Sequence, residues 1–237
     1  MWLLAEYQPV TLFSFRSVIA TSSGAKTLLV PTPFAIRTAL LDAAIRTKGL
    51  ANGKAGFAWI KELSIAIIPP DRVVVTNLFT KILKPSRKEE VEEAMNRTIA
   101  YREYAHLNGT LSIAFKVSES HAEELVSLLT QINHFGKRGS FFQLVPPVKI
   151  LEELNKDFVS TDAPYVQGGE IKGAYPNEFK LGIIQVMDDW GSSLTFSKVD
   201  VYSPETIKKN TDRVRKNIIL PYRLVRSSKS FTYYERI

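Results

Sequence analysis

Apolar positions recur along the chain with two periods, and their order predicts the fold. Residues 2–15 are rich in aromatic and aliphatic side chains, with Thr11, Phe13 and Phe15 on one parity and Leu12 on the other, the alternation of a strand. A polar stretch over 17–26, containing Thr21-Ser22-Ser23-Gly24, suits a loop. Thr32 as N-cap and Pro33 at the first helical position then open a helix with the stripe Ile36, Leu40, Ala43 and Ala44, which Lys48-Gly49 ends. Leu63, Ile65 and Ile67 alternate with smaller or polar neighbours up to the turn at Pro69-Pro70-Asp71, and Val73-Val74-Val75 resumes an extended run, a second strand and an excursion from it. Ser86 and Glu89 form a capping box for a short, exposed, charged helix through Arg97. After Asn108-Gly109, Leu111, Ile113, Phe115 and Val117 alternate with Ser112, Ala114 and Lys116, a half-buried strand. Ser120 and Glu123 make another capping box for a helix with Ala122, Leu125, Leu129 and Ile132 on one face, which stops near Asn133-His134-Phe135-Gly136. A last strand over 140–145 is closed by Pro146-Pro147.

The resulting order over residues 1–147 is strand, helix, strand, strand, helix, strand, the split βαβ order of a ferredoxin-like, RRM-like unit; a generic α+β sheet layer is the alternative. Beyond Pro147 the chain turns irregular, with Gly168-Gly169, Gly173, Pro176 and Gly182, followed by strand-like Leu194-Thr195-Phe196 and Val199-Asp200-Val201. Residues 148–237 therefore read as a smaller, β-rich C-terminal lobe of an α+β protein, without internal repeats or low-complexity segments.

Composition narrows the class. The 237 residues are 45% hydrophobic and 23% charged, which excludes a disordered chain, and no apolar run is long enough to span a membrane. The start lacks the basic region of a secretion signal, so a cytoplasmic location is expected. There is no cysteine, and His106, His121 and His134 are spread too widely for a convincing metal set, so no cofactor is expected. The net charge of +7 is uneven: residues 205–237 carry nine basic and three acidic residues, so six of the seven net charges fall there. Ile218-Ile219-Leu220-Pro221-Tyr222 and Phe231-Thr232-Tyr233-Tyr234 are too apolar for a simple charged arm, and clustered cations with aromatics mark polyanion-facing surfaces.

No constellation of nucleophile, base and orienting group is visible, and no catalytic residue is assigned. Asp188-Asp189 could be a paired carboxylate site, but a hairpin turn before Trp190-Gly191 explains the same residues and is preferred, since adjacent carboxylates in a strand point to opposite faces. Gly168-Gly169 lacks the Gly-Lys-Ser/Thr of a phosphate loop. Arg16, Lys26 and Arg37 bracket the loop before the first helix, whose N-terminus offers N–H groups to an anion. Lys137 and Arg138 follow the second helix, and His134 beside them suits a polar contact to phosphate. For any single basic residue, simple solvation is the competing reading.

The segment Val30-Pro31-Thr32-Pro33-Phe34-Ala35-Ile36-Arg37-Thr38-Ala39-Leu40-Leu41 resembles the helix-opening signature of the CRISPR-associated RAMP superfamily, in particular its Cas-five branch. Ile132-Asn133-His134-Phe135-Gly136-Lys137-Arg138-Gly139-Ser140-Phe141 is similar to that branch's motif after its second helix, and Pro221-Tyr222-Arg223-Leu224-Val225-Arg226-Ser227-Ser228-Lys229 adds a weaker match. Thr38 or Ala39 stands where the first signature often has glycine, and Gly139 or Ser140 where the second has an acid. The resemblance implies a non-catalytic subunit of an RNA-guided DNA-surveillance (Cascade) complex that grips the five-prime handle of the crRNA. Its implied partners are the crRNA, a Cas-seven-type backbone subunit, a Cas-eight- or Cas-ten-type large subunit and, indirectly, target DNA, with guide pairing supplying specificity. The excursion over 69–85, with Lys81 and Lys84, becomes the β-hairpin extension that inserts at the handle, and Arg223, Arg226 and Lys229 join the RNA-facing set. Two other readings stand beside it. One is a metal-independent endoribonuclease for precursor crRNA, with Tyr101, Tyr104, Tyr222 and Lys229 as unassigned candidates and no histidine before His106; the other is a nucleic-acid-binding protein outside CRISPR systems.

Overall fold

Alternation in the first segment puts Leu3, Ala5 and Tyr7 on one buried face of a strand, and the chain builds its main sheet around it. A computed structural model of the chain describes residues 1–21, 24–85, 95–167, 170–173 and 181–237. In chain order the elements are β1 (Trp2–Pro9), β2 (Phe15–Arg16), β3 (Gly24–Ala25), β4 (Thr27–Leu28), α1 (Pro33–Glu62), β5 (Ser64–Ile68), β6 (Arg72–Pro85), β7 (Met95–Asn108), β8 (Leu111–Lys116) and α2 (Glu119–Thr130). There follow β9 (Phe142–Leu151), β10 (Val159–Ser160), β11 (Tyr165–Gln167), β12 (Glu170–Lys172), β13 (Ile183–Trp190), α3 (Phe196–Val199), β14 (Arg213–Leu220), β15 (Tyr222–Ser227) and β16 (Phe231–Arg236). The protein is mixed α/β and mostly strand, with several sheets. No described helix is long and apolar enough to cross a membrane.

The main sheet has the order β10-β5-β8-β1-β9 with antiparallel neighbours. β8 lies between β5 and β1, so Leu111 to Phe115 are buried on both faces and the expected half-exposure is lost. Small side chains make this possible: Ala66 and Ala114 on the second face pack under Phe158. β9 does not stop at Pro146-Pro147. It is an edge strand, where a missing N–H is tolerated, and residues 146–148 bulge past Ala5 before pairing resumes at Lys149. One hydrophobic cluster joins residues on either side of Pro147, from Leu3 and Ile36 to Met187, Leu220 and Tyr222.

Thr32 caps α1 as expected, its Oγ1 accepting from Ala35 N at 3.2 Å, with Pro33 at the first position. Gly49, at φ 83°, ends the first half, and a second half over 50–62 turns back along it. The Arg37 Nη1 donor meets the Ile60 carbonyl at 2.7 Å, although a straight helix would hold these residues about 35 Å apart. This antiparallel second half is absent from the sequence reading because 50–62 carries glycines at 53 and 56 and no clear stripe. At the second capping box, Ser118 rather than Ser120 is the N-cap.

β6 and β7 form a long antiparallel hairpin from Arg72–Asn108 to Pro85–Met95, so the excursion is one side of a two-stranded arm. Residues 86–94 of the expected charged helix lie outside the described residues, and 95–97 open β7. The base of the arm is extended by β16, giving the order β15-β16-β6-β7-β3. The last sheet is β12-β11-β14-β13, and Phe196 to Val199 forms a helical turn where strand was expected.

Close packing of the α1 halves rests on Gly53, where a Cβ would fall 2.3 Å from Ile45 Cγ1. Gly53→Ala is expected to lower stability by about 1–3 kcal/mol in urea unfolding through overpacking. An unchanged midpoint would show that the halves do not meet at this spacing.

Candidate nucleic-acid interface

Asp188 and Asp189 sit in strand β13, not in a turn, and their side chains leave opposite faces as period two requires. Diagonal cross-strand pairing on β14 then gives each its own cation. Asp188 is bridged by Arg213, whose guanidinium also lies 4.6 Å from the Phe34 ring centroid. Asp189 accepts from Lys216 Nζ at 2.8 Å and from Arg37 Nε at 2.9 Å, and all three groups are buried. Burial pushes the Asp189 carboxyl up, but Arg37 and Lys216 outweigh it and hold its pKa below the usual carboxylate range. α1 is thereby tied to both strands. Trp190, next in β13, stacks on Phe57 of the second half of α1 at 4.7 Å.

With β13 docked in this way, its outer edge faces the 17–28 segment and the base of the arm across a groove of about 760 Å³. The lining includes Lys26, Arg102, Lys229, Asn77, Tyr101, Glu103 and Gln185, with Ile19, Leu28, Ile184 and Val186 as apolar walls. Hydrogen bonds set the segment's shape. Arg16 Nη2 donates to the carbonyls of Ala20 and Thr21, Thr27 N donates to Glu103 Oε2 at 2.9 Å, and Leu29 N donates to Gln185 Oε1 at 3.0 Å. β3 pairs with β7 at Tyr101 and Arg102, and Asn77 Nδ2 donates to the Lys229 carbonyl at 3.2 Å.

The arm continues this surface. Phe79, Lys81 and Leu83 share one face with their partners Tyr101, Ile99 and Arg97; the aromatic pair meets edge-on at 5.0 Å, and Phe79, Leu83, Ile99 and Tyr101 are exposed. Lys84 belongs to the opposite face by parity. The mixture of exposed aromatics with interleaved cations is suited to stacking unpaired bases while screening a phosphate backbone.

The sequence-derived residues divide accordingly. Lys26 and Lys229 line the groove, Arg16 braces its rim, and Lys81 and Lys84 lie exposed along the arm. Arg223 pairs with Glu235 at 3.2 Å, and Arg226 lies 6.0 Å from the Phe231 ring. Lys137 and Arg138 are exposed on a separate loop, held by Thr11 Oγ1 donating to the Gly139 carbonyl, while His134 contacts Asn133 Oδ1 at 2.7 Å. Arg37 is corrected: it is buried and committed to Asp189 and Ile60, so it cannot present its charge to an anion. Arg102, Asn77, Glu103 and Gln185 were missed as lining residues and Tyr101 stood only as an unassigned cleavage candidate, because only folding brings them to positions 26 and 229. Among the described residues no three His, Asp or Glu side chains are grouped to hold a metal ion.

The chain is similar to a CRISPR-associated protein. The relative is CRISPR-associated protein Cas5 of Archaeoglobus fulgidus, 24% identical over 156 residues, covering 65% of this chain and 66% of the relative's length. No family model matches. Among solved structures, a CRISPR protein from Archaeoglobus fulgidus aligns over 100% of this chain and 92% of its own, at 15% identity and TM-score 0.44. A chain of a CRISPR RNA-guided surveillance complex aligns over 92% of this chain and 90% of its own, at 16% identity and TM-score 0.47.

Asp189→Asn leaves Arg37 and Lys216 buried without a counter-charge and is expected to destabilise the fold by about 3–5 kcal/mol, measured by chemical denaturation. The pH dependence has a defined sign. Because the folded-state pKa is depressed, the unfolded chain takes up the proton first, so Asp189 contributes stability above about pH 4 that is lost as pH falls through the folded value. The Asn variant should show a shallower acid limb, and identical limbs would count against the pairing.

Proposed function

We propose that this chain is a non-catalytic RNA-binding subunit of a CRISPR RNA-guided surveillance complex, which holds the five-prime handle of the crRNA in the groove and along the exposed face of the arm. The observation that carries the reading is the convergence of Lys26, Arg102, Lys229 and Tyr101 on one groove from three distant segments. Similarity to Cas5 supports the same assignment. So does the topology: β1, α1, β5, β8, α2 and β9, with sheet order β5-β8-β1-β9, follow the split βαβ pattern of a ferredoxin-like unit, with the arm as its hairpin extension and the β13–β14 sheet as the smaller lobe. In this reading the neighbours in the complex are a Cas-seven-type backbone subunit and a Cas-eight- or Cas-ten-type large subunit.

A second reading, cleavage of precursor crRNA, is favoured by one observation: Tyr101 and Lys229 line the same groove, a phenol and an ammonium beside a site for ribose-phosphate. Tyr222 is removed from that role, since it is buried, donates to the Pro70 carbonyl, and has its phenol pushed up by burial. Incubation of the purified chain with repeat RNA, with and without chelator, separates the readings; specific cleavage overturns the non-catalytic one.

Binding of a short fluorescein-labelled single-stranded RNA by the full chain should weaken in the Lys26→Ala/Lys229→Ala variant, with the salt dependence of log K flattened by about 0.7 per lost phosphate contact. Lys137→Ala/Arg138→Ala tests the separate loop in the same assay. An unchanged slope for the Lys26/Lys229 variant would remove the groove from the RNA path.

A further inference from the structure

We propose that RNA leaving the groove rounds the β15–β16 turn and stacks its bases on the reverse face of the sheet at the base of the arm, on Phe231, Tyr233, Tyr104 and His106. The inference rests on the reading of the groove as an RNA site and adds to it a second surface with its own contacts.

Strand register places these side chains. On the front of the sheet, Val73 and Val75 of β6 and Ala105 and Leu107 of β7 are buried in the core, and Tyr234 of β16 packs against the same cluster. Alternation sends their neighbours to the reverse. Tyr233 of β16 lies beside Val74 of β6, which lies beside His106 of β7, and Phe231, Thr76 and Tyr104 make the adjacent row. Two aromatic columns therefore flank a floor of smaller side chains on β6, with their strands about 10 Å apart at the usual strand spacing. None of the six residues is buried, and His106 is exposed. Among the described residues, Phe231, Tyr233, Tyr104 and Val74 belong to neither hydrophobic cluster. A sheet face turned to water ordinarily carries polar side chains, so core packing does not account for these rings.

Charge selects the occupant. Arg226 of β15 is the cross-strand partner of Tyr233, and its guanidinium lies 6.0 Å from the Phe231 ring centroid. The row beyond Tyr233 holds Arg223, Glu235 and Arg72. Glu235 is the one acid that β6, β7, β15 and β16 place on this face, and it sits between Arg72 at 3.8 Å and Arg223 at 3.2 Å. The excess of guanidinium groups among rings suits unpaired bases with their phosphates.

The two surfaces meet at the β15–β16 turn. β16 stops pairing with β6 at Thr76, and the turn beyond sets Lys229 in the groove while Arg226 and Phe231 flank it on the reverse face. Asn77 holds the turn twice, its N–H donating to the Ser230 carbonyl at 2.8 Å and its Nδ2 to the Lys229 carbonyl at 3.2 Å. A strand bound at Lys229 has only this turn to round before it reaches Phe231, so the occupant of both faces is one RNA.

The experiment uses fluorescence anisotropy on the full chain with oligouridylates of about four and about sixteen nucleotides, the range of site sizes of single-strand binders. The long RNA is expected to bind more tightly than its extra registers account for, and Tyr233→Ala to weaken it about tenfold while leaving the short RNA unchanged. His106→Ala, at an exposed position, should act in the same direction, and Arg226→Ala should flatten the salt slope of the long RNA alone by about 0.7. The thermal midpoint reports that each variant is folded. No excess affinity for the long RNA, or an excess unmoved by Tyr233→Ala and His106→Ala, overturns the reverse face and leaves the groove standing. Equal weakening of short and long RNA in those variants does the same. Insensitivity of both lengths to Lys26→Ala/Lys229→Ala overturns the groove reading and, with it, the path round the turn, and binding of neither RNA overturns both surfaces.

Discussion

Asp189 lies between the Arg37 guanidinium and the Lys216 ammonium in a place from which water is excluded, and the rest of the molecule is arranged around that contact. Removing three ionised groups from water is costly, so the arrangement persists only because geometry is good and further partners exist: Arg37 also serves the Ile60 carbonyl, and Asp189 also accepts from Trp190 N. A hydrophobic cluster of equal volume could hold α1 against the β13–β14 ladder. It could not fix the register as tightly, because apolar contacts are non-directional whereas each charge here has one productive position.

That register matters because β13 forms one wall of the groove. Its other walls come from the 17–28 segment, tied by Glu103 to the arm, and from the β15–β16 turn, tied by Asn77. Much of the basic C-terminal sequence is used internally. Arg213 and Lys216 neutralise buried aspartates, Arg223 pairs with Glu235, and Arg236 pairs with Asp71. The net charge of +7 is thus a poor measure of the surface offered to a polyanion. Lys26 and Lys229 matter through their shared groove, not through membership of a charged stretch.

Local signals were legible and long-range ones were not. Thr32-Pro33 announced the helix start because capping is a contact within four residues, and the alternation over 111–117 announced a strand. The reach of β9 past two prolines was not legible, since an edge position is a property of the finished sheet. Asp188-Asp189 resembled a turn because an acidic pair is usually solvated; its cations, at positions 37, 213 and 216, are brought in only by folding. Arg37 illustrates the reverse error. A helix-opening arginine beside a polar loop reads as an anion ligand until the second half of α1, hidden by a weak apolar stripe, is seen to cover it. At the groove, Lys26 and Lys229 were visible as cations, while Tyr101, Asn77 and Gln185 carried no local mark of their placement.

The position of β16 has a consequence for synthesis. Residues 231–235 pair with β6 at Arg72 to Thr76, inside the sheet at the base of the arm, whereas the main sheet needs nothing beyond Ser160. During synthesis the main sheet can therefore form while the arm still lacks the strand that flanks its base and the groove still lacks Lys229. Domain-like folding in the order of synthesis completes the groove after the main sheet. A nascent chain carries a sheet before it carries a finished groove.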